Sequence, residues 1–239
     1  MTAITAEDLI RRLERFQACG PIPLDVKRGE IMGILCSGDR SRETLAAIIS
    51  TVLFPVPAFA ERSPLAILGN LGDVRRSMGI VFPEPVLDPA LTVRENLNFH
   101  AQLQGMSNEV RRRRILDLAR LFGLSDSLDV AVGTCSPTMV RHLEIARAFL
   151  AYPGVLFLAE PTKGLDDSGR EETWKLLQRL NRERGVTVIF TTQDLVEAEA
   201  ICTRVAVIDG GEIVALDTPE TFRAIMTVSS ASMKFDDIV

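Results

Sequence analysis

Residues 155–167 read VLFLAEPTKGLDD, and the fold turns on them. Val155 to Leu158 form an apolar run without the polar alternation of a half-exposed strand, the pattern of a strand covered on both faces. The run ends in Ala159-Glu160-Pro161, a polar turn containing Gly164 follows, and the chain continues into SGREETWKLLQRLNRERG. There Trp174, Leu177 and Leu180 recur at helical spacing, and Gly185 supplies the stop before the next apolar run, VTVIFTT. Buried strand, helix and buried strand in that order predict a mostly parallel sheet with helices on its faces.

The same signals extend outward in both directions. Further core strands are expected at Ile31 to Cys36, Met78 to Phe82 and Val186 to Thr191. Thr92 and Glu95 form a capping box opening the helix TVRENLNFHAQLQG, with Gly105 as its end. A second helix starts at Ser107 or Asn108 and runs through RRRRILDLARLFGL. In it Val110, Ile115, Leu118 and Phe122 are expected to share an apolar stripe, leaving Arg111 to Arg114 as a partly solvated helix start. Alternation around Asp209-Gly210-Gly211 in RVAVIDGGEIVALDT predicts an antiparallel hairpin. The expected organisation is one α/β domain over residues 1–226, with a helical subdomain at about 84–150 inserted in the core and a short tail at 227–239.

Composition narrows the classes of function. The 239 residues are 46% hydrophobic and 25% charged, enough for a sizeable core, and the net charge of -5 argues against a nucleic-acid partner. Cys19, Cys36, Cys135 and Cys202 are scattered with no C-x-x-C pair, and the histidines are His100 and His142, so a zinc site lacks ligands and no protein metal site is expected. No run approaches the roughly 20 apolar residues that span a bilayer, so membrane association is expected to come through partners. The expected location is cytoplasmic, at the inner face of a membrane.

The segment GILCSGDRSRETLAAII follows the Ile31 to Cys36 strand, where a phosphate-binding loop between strand and helix belongs. At identical spacing it resembles the Walker A loop of the ABC transporter nucleotide-binding domain, G-I-L-G-x-N-G-x-G-K-S-T-L. In that alignment Gly38 and Asp39 begin the loop's tip, Cys36, Asp39 and Ser41 replace glycines, Arg42 replaces the Lys, Glu43 replaces the metal-binding Ser, and Thr44 and Leu45 are retained. Asp39 and Glu43 put carboxylates where a polyphosphate would lie, whereas Arg42 still attracts phosphate.

The resemblance runs over roughly residues 14–220 and keeps the order of the motifs. MGIVFPEPVLDPALTVRENL is similar to the Q-loop region, with Pro83 at the Gln position. Cys135-Ser136-Pro137-Thr138-Met139 stands where the family has its L-S-G-G-Q signature, retaining Ser136 and replacing both glycines. Ala159 occupies the place of the Walker B Asp that holds magnesium through water, and Glu160 that of the general base. Lys163-Gly164-Leu165-Asp166 resembles the D-loop that serves dimer communication, and Gln193 stands in the position of the His that senses the γ-phosphate.

The resemblance implies a P-loop NTPase-like mixed sheet with helices, an antiparallel part and a small helical subdomain. It also implies head-to-tail dimers in which one subunit's Walker motifs face the other's signature, and here both halves are altered. The leading reading is a pseudo-ATPase of the exporter-type branch, with no cofactor, that docks to a membrane permease and to a second ABC ATPase or a second copy of itself. One alternative is a residual ATPase that binds ATP and magnesium through Arg42, Thr44 and backbone amides, with Glu160 as base and Glu43 as metal ligand. Another is a soluble scaffold that has left transport.

Overall fold

The computed structural model describes residues 2–4, 26–36, 78–209 and 212–228. Its strands are β1 (Thr2–Ile4), β2 (Val26–Lys27), β3 (Ile31–Cys36), β4 (Met78–Val81), β5 (Val155–Ala159), β6 (Thr187–Thr192), β7 (Arg204–Asp209) and β8 (Glu212–Asp217). The helices among these residues are α1 (Val93–Leu103), α2 (Asn108–Leu121), α3 (Pro137–Ala148), α4 (Asp167–Arg184), α5 (Leu195–Ile201) and α6 (Pro219–Val228).

The main sheet has the order β4-β5-β6-β3-β7-β8. Its first five strands are parallel neighbours, and β8 returns antiparallel to β7, as the alternating pattern of that segment requires. Every residue of β6 is buried, and so are Leu156 to Ala159 of β5. These strands are therefore covered on both faces, and the run VLFLA lies at the inside of the sheet between β4 and β6. The result is the mixed α/β architecture expected, with its antiparallel part at the β7–β8 edge.

Between β4 and β5 the chain is helical. Thr92 and Glu95 make the reciprocal capping box at the start of α1. Ser107 caps α2 by position but makes no side-chain bond. In α2, Ile115 and Leu118 are buried, with Phe122 just beyond its end, whereas Val110 is 46% exposed, so the expected stripe begins one turn later. The buried residues of α2 are Ile115, Leu118 and Ala119, all in its second half, and it leads into the aromatic pair Phe122–Phe149, whose centroids lie 5.9 Å apart. Arg111 and Arg114 are only partly exposed. The Arg114 guanidinium donates to the Leu150 carbonyl at 2.7 Å and stacks on the Tyr152 ring.

Helix α4 ends as expected at Gly185, whose φ of +63° is the left-handed conformation glycine adopts without a Cβ penalty. Leu176, Leu177 and Leu180 form its buried face, with Trp174 partly buried beside them. The strand expected at Met78 to Phe82 stops at Val81, because Phe82 is 45% exposed and leaves the sheet. Gly210 and Gly211 of the hairpin turn lie outside the described residues.

Candidate functional site

Parallel strands bring their C-terminal ends to one rim, where ligands bind in open α/β sheets. At that rim Ala159 closes β5, paired in register with Thr191 of β6, so that the two side chains share a face of the sheet. Ala159 is 1% exposed and offers no oxygen. The Thr191 hydroxyl beside it is buried without a hydrogen-bond partner.

The next residue turns the chain sharply. Glu160 has φ +46°, a left-handed conformation costing a non-glycine residue about 1–2 kcal/mol. Main-chain bonds hold it there: its N–H donates to the Thr191 carbonyl at 2.9 Å, and its own carbonyl accepts from the Lys163 N–H at 3.2 Å. The carboxylate is 10% exposed and reaches, among the described residues, Gln193 and Lys163. Oε1 accepts from Gln193 Nε2 at 3.3 Å, and Oε2 faces Lys163 Nζ at 2.9 Å. Glu160 and Gln193 thus meet, with Ala159 as the residue before Glu160. Lys163 joins them, although its sequence position gave it no role beyond the D-loop turn.

A second polar cluster lies behind the first. The Glu197 carboxylate, on a residue 2% exposed, accepts from the hydroxyls of Thr162 and Thr192, each at 2.6 Å, and from the Trp174 indole N–H at 3.3 Å. Burial pushes this carboxyl up from its ordinary range, against the three donors that pull it down. The Thr192 hydroxyl also receives the Asp194 N–H at 3.0 Å, and Asp194 pairs with Arg170 of α4. One buried acid therefore ties the turn after β5 to the turn after β6. Sequence reading missed Glu197, because a glutamate inside a helical segment gives no sign of its burial.

The D-loop residues serve the local fold. Asp166 caps α4, its Oδ1 accepting from the Gly169 N–H at 2.8 Å. Ser136 caps α3 in the same way, accepting from the Met139 N–H at 3.2 Å, and Pro137 occupies the first helical turn, where its missing N–H costs nothing. Thr138 packs onto α4 at Gly169, where an added Cβ would meet the Thr138 hydroxyl at 2.2 Å. Cys135 is partly buried, which raises its thiol above the ordinary range.

Pro83 follows β4 and offers only its carbonyl. Arg141, itself buried, donates to the carbonyls of Phe82 and Pro83 at 3.0 Å each, and Glu144 receives the Val86 N–H at 2.6 Å while pairing with Arg147. Pro83, Cys135, Pro137, Lys163, Gly164 and Leu165 all line one concavity of about 550 Å³. Gly38, Asp39, Ser41, Arg42, Glu43 and Thr44 lie outside the described residues, and so does the placement of the phosphate-loop segment they belong to.

The described donors at the end of β5 do not by themselves suit a divalent cation. Among the described residues no three His, Cys, Asp or Glu side chains gather to hold one, and the one acid at the end of β5 already faces an ammonium. Hard cations such as magnesium need several oxygens in regular geometry.

The profile of the family described as ABC transporter matches residues 20–163. The chain belongs to the ABC transporter family. Among its relatives, the daunorubicin resistance ATP-binding protein DrrA3 of Streptomyces coeruleorubidus is 33% identical over 93% of this chain and 70% of its own length. The daunorubicin/doxorubicin resistance ATP-binding protein DrrA of Streptomyces peucetius is 34% identical over 90% of this chain and 65% of its own. This ABC transporter chain thus spans about two thirds of the length of those relatives. Among solved structures, CbiO1 from Clostridium perfringens, part of the ABC transporter complex cbiONQ, superposes with a TM-score of 0.73 at 26% identity, covering 88% of this chain and 86% of that one. A dimeric ATP-binding cassette in a post-hydrolysis state with ADP and Pi gives a TM-score of 0.67 at 25% identity, covering 84% and 90%. The fold is that of the ABC ATPase cassettes. No helix of the described residues is long and apolar enough to cross a membrane.

Proposed function

We propose that this chain is an ATP-binding-cassette subunit that keeps the scaffold of its family and has given up metal-dependent ATP hydrolysis at its own site. Its work is then docking, as a pseudo-ATPase in a membrane export complex. The observation that carries the reading is the end of β5, where Ala159 supplies no side-chain oxygen and the Glu160 carboxylate faces the Lys163 ammonium at 2.9 Å. Pro83 and Gln193 support it, because neither presents the side chain of the family's motif at its position, and so does the Cys135–Met139 segment, which keeps Ser136 but neither signature glycine. The Walker A segment from Gly38 to Thr44 supports it from sequence, through the two carboxylates Asp39 and Glu43.

The partners that fit are a membrane permease and a second ABC ATPase or a second copy of this chain, with residues 84–150 as the helical subdomain facing them. The drug-resistance names of the two Streptomyces relatives favour an export complex, held at the inner face of the membrane through its permease. The test is a titration of the purified chain with Mg-ATP while its melting temperature and phosphate release are followed. The expected result is no shift and no release. A rise of several degrees that Arg42→Ala abolishes overturns the loss of binding, and phosphate release that Glu160→Gln abolishes restores the residual-ATPase reading.

A further inference from the structure

We propose that Lys163 is a built-in counter-cation that stands against Glu160 in place of a divalent metal and keeps such an ion from the end of β5. The inference rests on the reading that this site has lost its metal chemistry, and it names the residue that maintains the loss.

The geometry of the turn carries it. Lys163 lies three residues after Glu160, and the bond from its N–H to the Glu160 carbonyl at 3.2 Å fixes the two residues on one turn. The Leu165 N–H reaches the Thr162 carbonyl at 3.1 Å, and the Thr162 side chain is anchored on the buried Glu197, so the turn is held from both sides. The Lys163 ammonium then meets Glu160 Oε2 at 2.9 Å while Gln193 donates to Oε1. Both oxygens of the carboxylate face hydrogen-bond donors of the protein.

A divalent ion binds carboxylate oxygen at about 2.0–2.6 Å and would stand against the ammonium, with like charges in a partly enclosed rim. Among the described residues its neighbours at the strand ends also offer no second acid, because Ala159 contributes a methyl group and Thr191 a hydroxyl. Restoring an acid at position 159 is therefore not sufficient to restore a cation site. The ammonium has to leave as well.

Electron paramagnetic resonance of Mn²⁺ tests this without nucleotide or turnover, on the full chain and its variants. The expected result is that Ala159→Asp alone gains little, that Ala159→Asp with Lys163→Ser binds Mn²⁺ at least tenfold more tightly, and that Ala159→Asp with Lys163→Arg returns to the weak value. Equal affinities in Ala159→Asp and its Lys163→Ser double variant, whether both tight or both absent, overturn the proposal, as does an arginine variant that behaves like the serine one.

A second measurement needs no substitution at position 159. The rate of amine modification at Lys163, followed by mass spectrometry, is expected to rise several-fold in Glu160→Gln, whose unfolding midpoint is checked in parallel. An unchanged rate overturns the ion pair as the holder of the ammonium. ATP hydrolysis by the unaltered chain would overturn the functional reading above and leave the Lys163 assignment to the Mn²⁺ comparison.

Discussion

A buried hydroxyl without a partner costs about 1–3 kcal/mol, and Thr191 carries one beside the methyl group of Ala159. Thr191→Val keeps the branched shape and removes the orphan. The expected effect is stabilisation of about 1 kcal/mol, a rise in melting temperature of roughly 2–4 °C for a chain of this size. A fall would mean that the hydroxyl has a partner in solution. Glu197 gives the complementary case, a buried acid with every donor in place. Its carboxyl is held above its ordinary value of 4.5, chiefly by burial. The folded state therefore binds its proton more readily than the unfolded state, and the stability this contributes is complete below pH 4.5 and lost as pH rises through the raised value. Glu197→Gln removes the titration. The melting temperature of the natural chain minus that of Glu197→Gln is expected to decline as pH rises above 4.5, and a flat difference would assign the acid an ordinary affinity for its proton. Ala159, Glu160 and Gln193 were singled out through the resemblance of their segments to the family's motifs. The roles of Glu197 and Lys163 were not legible, because they depend on which side chains the fold brings to them.

Helix α3 meets helix α4 where Thr138 lies against Gly169, and the approach permits no side chain at position 169. Gly169→Ala would place a Cβ 2.2 Å from the Thr138 hydroxyl and 3.0 Å from the capping oxygen of Asp166. The expected cost is about 1–3 kcal/mol, the usual range for overpacking a close contact. Thr138→Ala in the same chain removes the nearer obstacle, so most of that cost is expected to return in the double variant. Denaturant unfolding of the four members of the cycle measures the coupling, and additive effects would show that the helices adjust independently. Both helix starts carry their caps in adjacent residues, Ser136 followed by Pro137 and Asp166, although the sequence reading gave these residues only signature and D-loop places. The sequence did not announce the Thr138–Gly169 contact, which joins residues 31 positions apart in different helices. The exposure of Val110 in α2 has the same origin: periodicity marks which residues could share a face, and the neighbouring elements decide how much of that face is covered.

At the scale of the whole molecule, the order of strands and helices followed from runs of apolar residues, because strands buried on both faces need them whatever the site does. Activity follows different residues on the same frame. The resemblance implies a dimer in which one subunit's phosphate loop faces the other's signature, and the proposed function takes both sides to be altered in this chain. On the signature side Pro137 has no N–H to give, the Ser136 hydroxyl accepts from Met139, and Thr138 is turned against α4. On the rim side the Glu160 carboxylate is paired with Lys163. On the proposed function, Mg-ATP does not join two copies. Light scattering during gel filtration is expected to give the same mass with and without Mg-ATP, for the natural chain and for Glu160→Gln alike. A mass that doubles with Mg-ATP, in either the natural chain or Glu160→Gln, would show nucleotide joining two copies and refute the docking role assigned to the chain.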